Sequence, residues 1–187
     1  GGVGSYIAPS FGGANGTNYA FTEDYDGSSW TEVGDLSAAR ITLMQAGTAT
    51  AALAIGGVPS VNATVESWNG TSWTEIADIN TARMNSANFG TQTDALIAGG
   101  DKSPGAGDET ETWDGSSWTE VADLNQSRML QSSAGSVSTS GLSFGGYPGT
   151  GSGLAVNEEW DGSSWTEVAD LSTVRYAGGA GSIGTTS

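Results

Sequence analysis

Glu111-Thr-Trp-Asp-Gly-Ser-Ser-Trp-Thr-Glu-Val-Ala-Asp-Leu124 is the stretch on which the fold turns. It occurs four times with small changes. Tyr25-Asp-Gly-Ser-Ser-Trp30 opens the first copy, Trp68-Asn-Gly-Thr-Ser-Trp73 the second, Trp113-Asp-Gly-Ser-Ser-Trp118 the third and Trp160-Asp-Gly-Ser-Ser-Trp165 the fourth. All seven tryptophans lie in it. The second aromatic falls at Trp30, Trp73, Trp118 and Trp165, at spacings of 43, 45 and 47 residues. Self-similarity at a period of this length marks a repeat architecture.

Other marks keep the same phase. Gly-Gly pairs fall at Gly12-Gly13, Gly56-Gly57, Gly99-Gly100 and Gly145-Gly146. One arginine follows each motif, at Arg40, Arg83, Arg128 and Arg175, and the chain has no others. The spacing varies mainly in the segments after the Gly-Gly pairs, so those are the loops whose length is free.

Each repeat divides into four short strand candidates. Strand a is expected at 47–50, 90–93 and 135–138, and strand b at 52–55, 95–98 and 142–144. Strand c, at 64–68 in the second repeat, carries the first aromatic, and strand d, at 72–76, the second. Asp-Gly or Asn-Gly between c and d predicts a two-residue hairpin turn, because that pair tolerates positive φ at both central positions. No window keeps a helical period.

Four strands per repeat of about 45 residues is the pattern of a β-propeller blade. Arginine, glycine, a hydrophobic strand ending in Gly-Gly, Glu-x-aromatic and then Trp-Thr together resemble the kelch repeat. The resemblance covers the whole chain and rests on Gly56-Gly57, Trp68, Trp73 and their equivalents. One departure is the turn between the two aromatics, which is shorter than in typical kelch repeats. The Asp-Gly-Ser-Ser-Trp-Thr form is also similar to tandem kelch-like repeats of bacteriophage and environmental virus proteins.

The resemblance implies an all-β fold, a β-propeller of four four-stranded antiparallel blades in one domain spanning 1–187. The first blade is 1–36 plus 175–187, and the others are 37–79, 80–124 and 125–171. The chain enters at or just before a b strand (Tyr6 to Phe11) and ends on an a-type stretch (Gly181 to Ser187). Kelch propellers close their ring in this way, the C-terminal strand joining the first blade, and closure removes open strand edges. The small side chains of the a strands suit four strands crowding one axis. The alternative is a fragment of a larger propeller or repeat array.

Composition limits the chemistry. The chain has 187 residues, enough for one sizeable core. Its formal charge of −16 repels nucleic acid and anionic membranes. It contains no Cys and no His, so disulfides, thiolate metal sites and Ser-His-Asp triads are excluded. Galactose oxidase, a kelch-fold enzyme, would require copper-ligating His and a Cys joined to Tyr, and both residue types are missing. The longest apolar run, near Ala49 to Ile55, is too short to span a bilayer. No segment reads as a signal peptide. The first residue is Gly1 rather than Met, as in a processed chain or a piece of a longer one.

The repeated residues are better explained by packing than by binding. Trp30, Trp68, Trp73, Trp113, Trp118, Trp160 and Trp165 offer faces on which sugars could stack, but an aromatic locked to every repeat suits the gap between blades. Arg40, Arg83, Arg128 and Arg175 could ring an anion. Each repeat also has one Glu two residues before its first aromatic, at Glu23, Glu66, Glu111 and Glu158, so an internal ion pair at each blade junction is expected instead.

Asp26, Asp114 and Asp161 could contribute to a calcium site, which needs six to eight converging oxygens. Turn preference alone explains them. The pairs Glu32/Asp35, Glu75/Asp78, Glu120/Asp123 and Glu167/Asp170 could serve glycoside hydrolysis. Repeated four times in register, they read as a solvated rim. Three Asn-x-Thr triplets, at Asn15, Asn62 and Asn69, match the glycosylation pattern.

The expected function is therefore a non-enzymatic structural or adhesion module on a virion or extracellular surface, with no catalytic residue, metal or cofactor. Its expected partner is a protein, through self-assembly or virion or filament neighbours, or a surface glycan. Nucleic acid and membrane insertion are excluded as partners. A lectin-like carbohydrate binder and a subunit of an extracellular filament are the alternatives. Specific recognition is expected at Val58 to Ala63, Asp101 to Asp108 and Tyr147 to Ala155, where the repeats differ.

Overall fold

The computed structural model describes residues 8–178, and within them there are strands but no helix. Sheet 1 contains β1 (Ala8–Phe11), β2 (Thr22–Tyr25) and β3 (Trp30–Glu32). Sheet 2 contains β4 (Met44–Thr48), β5 (Ala51–Ile55), β6 (Val65–Trp68) and β7 (Trp73–Glu75). Sheet 3 contains β8 (Ala87–Thr91), β9 (Asp94–Asp101), β10 (Ala106–Trp113) and β11 (Trp118–Val121). Sheet 4 contains β12 (Ser132–Val137), β13 (Ser140–Phe144), β14 (Asn157–Trp160) and β15 (Trp165–Val168). Every sheet is an antiparallel meander in sequence order. The fold is all-β, four antiparallel sheets of three or four strands, an arrangement consistent with propeller blades.

Strand alternation places the core between sheets. In β9, Ala95 and Ile97 face sheet 2 and pack with Met44, Leu53, Ile55, Val65 and Trp113. Leu96 and Ala98, on the other face, pack with Phe89, Leu124, Trp160 and Trp165 toward sheet 4. A strand covered on both faces reads as a continuous apolar run, which is why Ala95-Leu-Ile-Ala98 shows no polar alternation. Each Leu or Ile buried there contributes about 1.5–3 kcal/mol. Sheets 1 and 2 meet where Phe11 packs edge-on against Trp73, ring centres 4.8 Å apart.

The a strands β4, β8 and β12 lie side by side. The Asn88 N–H donates to Ser133 Oγ at 3.1 Å, the Ser133 hydroxyl donates to the Asn88 carbonyl at 2.9 Å, and Asn88 Nδ2 donates to the Gln45 carbonyl. Gln92 Nε2 reaches back to Ser67 Oγ at 2.9 Å and to the Trp68 carbonyl.

The a strands start about three residues earlier than the sequence reading places them. Met44 and Ala46, and likewise Ala87 and Phe89, alternate into the core, while Ala49-Thr50 and Gln92-Thr93 form the turn into strand b. The glycine expected to open each strand instead sits near its end. Gly90 has φ of +110°, and a Cβ there would lie 2.3 Å from the Asp94 carbonyl oxygen. Gly90→Ala is expected to cost more than about 1 kcal/mol in urea unfolding. An unchanged midpoint would contradict this backbone assignment.

The c–d connection also differs from the two-residue turn. Trp113 pairs directly with Trp118, leaving the four-residue loop Asp114-Gly-Ser-Ser117. Only the glycine takes positive φ, +92° at Gly115, and the aspartate does not. The serines belong to the loop because the aspartate side chain organises them, as described below.

The terminal stretch Gly181 to Ser187, expected to close the ring, lies outside the described residues, as do Tyr6 and Ile7. Sheet 1 has three strands with β1 at its edge. Among the described residues no hydrogen bond or ion pair joins sheet 1 to sheet 4.

Candidate functional site: the sheet junctions and the loop-bearing end

The repeated charged and aromatic residues meet at three junctions between successive sheets. Arg40, on the link from sheet 1, places Nη2 2.5 Å from Glu66 Oε1 of sheet 2. Its Nη1 donates to the carbonyls of Gly56 and Thr64, both at 2.9 Å. Arg83 repeats this with Glu111 of sheet 3 at 2.6 Å and the carbonyls of Gly99 and Glu109. Arg128 pairs with Glu158 of sheet 4 at 2.9 Å and donates to the Ser143 carbonyl at 3.2 Å. All six side chains are buried. Burial pulls the Arg128 guanidinium below its ordinary pKa, opposed chiefly by the Glu158 carboxylate.

The second carboxylate oxygen is satisfied by the link itself. Glu66 Oε2 accepts from the Ser37 N–H, Glu111 Oε2 from the Asn80 N–H and side chain, and Glu158 Oε2 from the Asn125 N–H and side chain. The motif reading did not single these donors out. Their signal was present, since Ser37, Asn80, Asn125 and Ser172 all stand three residues before the arginine.

The tryptophan of strand d completes each junction from the other side. Trp73 Nε1 donates to Thr22 Oγ1 of sheet 1 at 2.9 Å, and Trp165 Nε1 donates to Thr110 Oγ1 of sheet 3 at 2.9 Å. At the middle junction the equivalent position is Val65, which offers no acceptor, and the buried Trp118 Nε1 has no partner. Trp68, Trp113, Trp118, Trp160 and Trp165 are buried and Trp73 is half-buried. Trp30 is 52% exposed, and Glu23 and Arg175 are exposed and unpaired with each other.

The aspartates of the c–d loops fold back on their own loops. Asp114 Oδ1 accepts the N–H groups of Ser116 and Ser117, both at 2.8 Å, and the Ser116 hydroxyl at 2.7 Å. Asp26 and Asp161 make the same contacts. Donation by the serine hydroxyl and the two N–H groups holds Asp114 and Asp161 at a pKa of about 2. Asp26 is also held at about 2, led by the Ser29 N–H. In the second repeat Asn69 Oδ1 accepts from Thr71 and Ser72 without a charge. Among the described residues no cluster of three or more carboxylates is placed to hold a metal ion.

The lowered values carry a pH dependence of definite sign. A carboxylate whose folded pKa is depressed stabilises the fold above its unfolded value, near 4, and loses that contribution as pH falls through about 2. The triple variant Asp26→Asn, Asp114→Asn, Asp161→Asn keeps the Oδ1 acceptors without the charge. Its stability should therefore fall less than that of the wild type between pH 4 and pH 2 in urea titrations. Parallel losses in the two proteins would rule out this contribution.

The non-repeating loops share one end of the sheets, because every b strand ends there. Bridges join Ile41 to Val58, Met84 to Asp101 and Met129 to Tyr147 at that end. In sheet 3 the strands β9 and β10 continue to Asp101 and Ala106, with Lys102, the one lysine, paired to Glu109 across the hairpin. Beside sheet 4 the rings of Tyr147 and Tyr176 lie 5.4 Å apart. A cavity of about 540 Å³ lies elsewhere, lined by β1, β4, β8 and β12 through Phe11, Gln45, Asn88, Phe89 and Ser136. No protein-family model matches the chain, and a search of curated proteins finds no match.

Proposed function

We propose that the chain is a kelch-like β-propeller of four blades, closed by residues 181–187 pairing with β1. It works as a non-enzymatic structural or adhesion module on a virion or other extracellular surface. The kelch assignment rests on the repeat motif, and the surface setting on resemblance to virus-borne repeats. One observation carries the functional reading. At three successive junctions the arginine pairs with the glutamate of the next sheet, and at two of them a tryptophan donates to a threonine of the previous sheet, so the repeated polar groups are used between sheets. Recognition then falls to the end where the repeats differ, through the loops of sheets 3 and 4.

The partner is a neighbouring protein or a surface glycan. The net charge of −16 opposes nucleic acid and anionic lipid. The test replaces residues 102–105 and 148–153 with Gly-Ser linkers and compares both proteins on a glycan array and on immobilised host-cell surface protein. The wild type should bind one of the two surfaces, and the loop variant should lose binding while melting as before. Equal binding by the two proteins would overturn the assignment to the loops. Polysaccharide cleavage abolished by a Glu→Gln change would overturn the non-enzymatic reading.

A further inference from the structure

We propose that sheets 1 and 4 carry the two halves of a fourth junction, which close on each other within one chain. Arg175 pairs with Glu23, and Trp30 Nε1 donates to Asn157 Oδ1. The inference rests on the closed-ring reading above and adds to it the side chains that lock the ring.

The first support is register. In the formed junctions the arginine pairs with the glutamate of the next sheet, and at the first and third of them the strand-d tryptophan of that sheet donates to the residue just before the previous sheet's glutamate. Those preceding residues are Thr22, Val65, Thr110 and, in sheet 4, Asn157. Continuing the order past sheet 4 returns to sheet 1 and pairs Arg175 with Glu23 and Trp30 with Asn157.

The sheet 4 half already holds part of the required local state. Arg175 donates Nε–H to the Thr173 carbonyl at 3.3 Å, as Arg83 does to Thr81 at 3.1 Å. Its own carbonyl accepts from Gly146 N–H at 2.8 Å, as that of Arg83 does from Gly57. The backbone and Nε of Arg175 are therefore placed as those of Arg83 are, while its Nη atoms lack both the carboxylate and the two next-sheet carbonyls that Arg83 binds. On the same sheet Asn157 Oδ1 is buried without a hydrogen-bond partner, a costly state for an amide oxygen. Thr22 and Thr110 receive a tryptophan N–H at the matching positions. Trp30, the tryptophan that would supply it here, is 52% exposed.

The path of the chain favours closure within one molecule. Ala177 N–H donates to the Leu130 carbonyl at 2.8 Å, as Leu130 N–H does to Asn85 at 2.9 Å one sheet earlier. The Ser132 hydroxyl donates to the Gly178 carbonyl at 2.7 Å. The chain thus leaves Gly178 alongside β12, and β12 and β1 line the same cavity. Two halves on one chain meet at a far higher effective concentration than two halves on separate molecules.

The test combines a charge swap with the fluorescence of Trp30, isolated as the wild-type spectrum minus that of Trp30→Phe. Wild-type Trp30 should emit to the blue and resist acrylamide. Glu23→Arg and Arg175→Glu should each lower the melting temperature and open Trp30 to quenching, and the double variant should recover most of both losses. Asn157→Thr, which copies Thr22 and Thr110, should keep Trp30 protected, and Asn157→Asp, which puts a charge there, should open it. All of this should be independent of protein concentration.

A double variant no better than the worse single, or Trp30 quenched in the wild type as in urea, overturns the proposal. Protection that grows with concentration places the junction between copies and overturns it too. If residues 181–187 pair with β1 while the charge swap stays additive, the latch alone is wrong. An absence of that pairing removes ring and latch together.

Discussion

Arg83→Met should destabilise the protein by about 3–5 kcal/mol, because it strands a buried carboxylate. Arg83 is 1% exposed, and its Nη2 lies 2.6 Å from Glu111 Oε1. Removing the guanidinium leaves Glu111, also fully buried, with donors only from Asn80 and Thr81. It also leaves the carbonyls of Thr81, Gly99 and Glu109 without this donor. Taking out both charges, as in Arg83→Met with Glu111→Leu, should recover part of the loss, since an apolar pair escapes the cost of burying ions. Urea unfolding of the single and double variants gives the comparison. A single-variant loss below about 1 kcal/mol would mean that the pair does not organise the junction.

Trp118→Ala is the second large effect, at about 3–5 kcal/mol. The indole is 6% exposed and fills the space between sheets 2 and 3 among Met44, Ile55, Val65 and Ile79. Its ring lies 5.3 Å from that of Trp113, and its carbonyl accepts from Asn80 Nδ2 at 3.1 Å. The neighbours are themselves buried and held by their strands, so they close only part of the void. Chemical denaturation measures this directly, and a loss under about 1 kcal/mol would refute a packing role.

The sequence was most legible where a residue repeats for a reason that packing imposes. The tryptophan pairs mark c and d because each hairpin brings two aromatics into contact, as at Trp113 and Trp118, whose rings are tilted by 36°. The b strands are marked by apolar runs that end at Gly-Gly. The a strands were misplaced because their core residues vary, Met44 in one and Phe89 in another, while the conspicuous Gly-Thr belongs to their ends.

The turn was misread for a related reason. Asp-Gly is the signal of a two-residue hairpin, but the following serines give the aspartate donors to gather, and the loop lengthens to four. One glutamate and one arginine per repeat suggested a pair. Which glutamate belongs to which arginine needed the sheet order, since Arg40 bonds Glu66 of the next sheet and not Glu23 of its own.

The junctions also explain how little chemistry is left in the repeats. Arg40 and Arg83 each bond a carboxylate and at least two carbonyls, whereas Arg128 bonds a single carbonyl and keeps Nε and Nη1 buried without a hydrogen-bond partner. At the three formed junctions the arginines and glutamates that look most like a binding motif are buried between sheets. The loop-bearing end is where the repeats differ, with Lys102 paired to Glu109 and the rings of Tyr147 and Tyr176 in contact.

The central claim, a ring of four sheets closed within one chain, is tested most directly by nuclear Overhauser contacts in isotope-labelled protein. The account predicts cross-strand contacts between residues 181–187 and β1, Ala8–Phe11, with the β1 amides protected from exchange. An equal mixture of labelled and unlabelled chains should show them within single molecules. Absence of these contacts, with rapidly exchanging β1 amides, would contradict it, and so would contacts that arise only between chains.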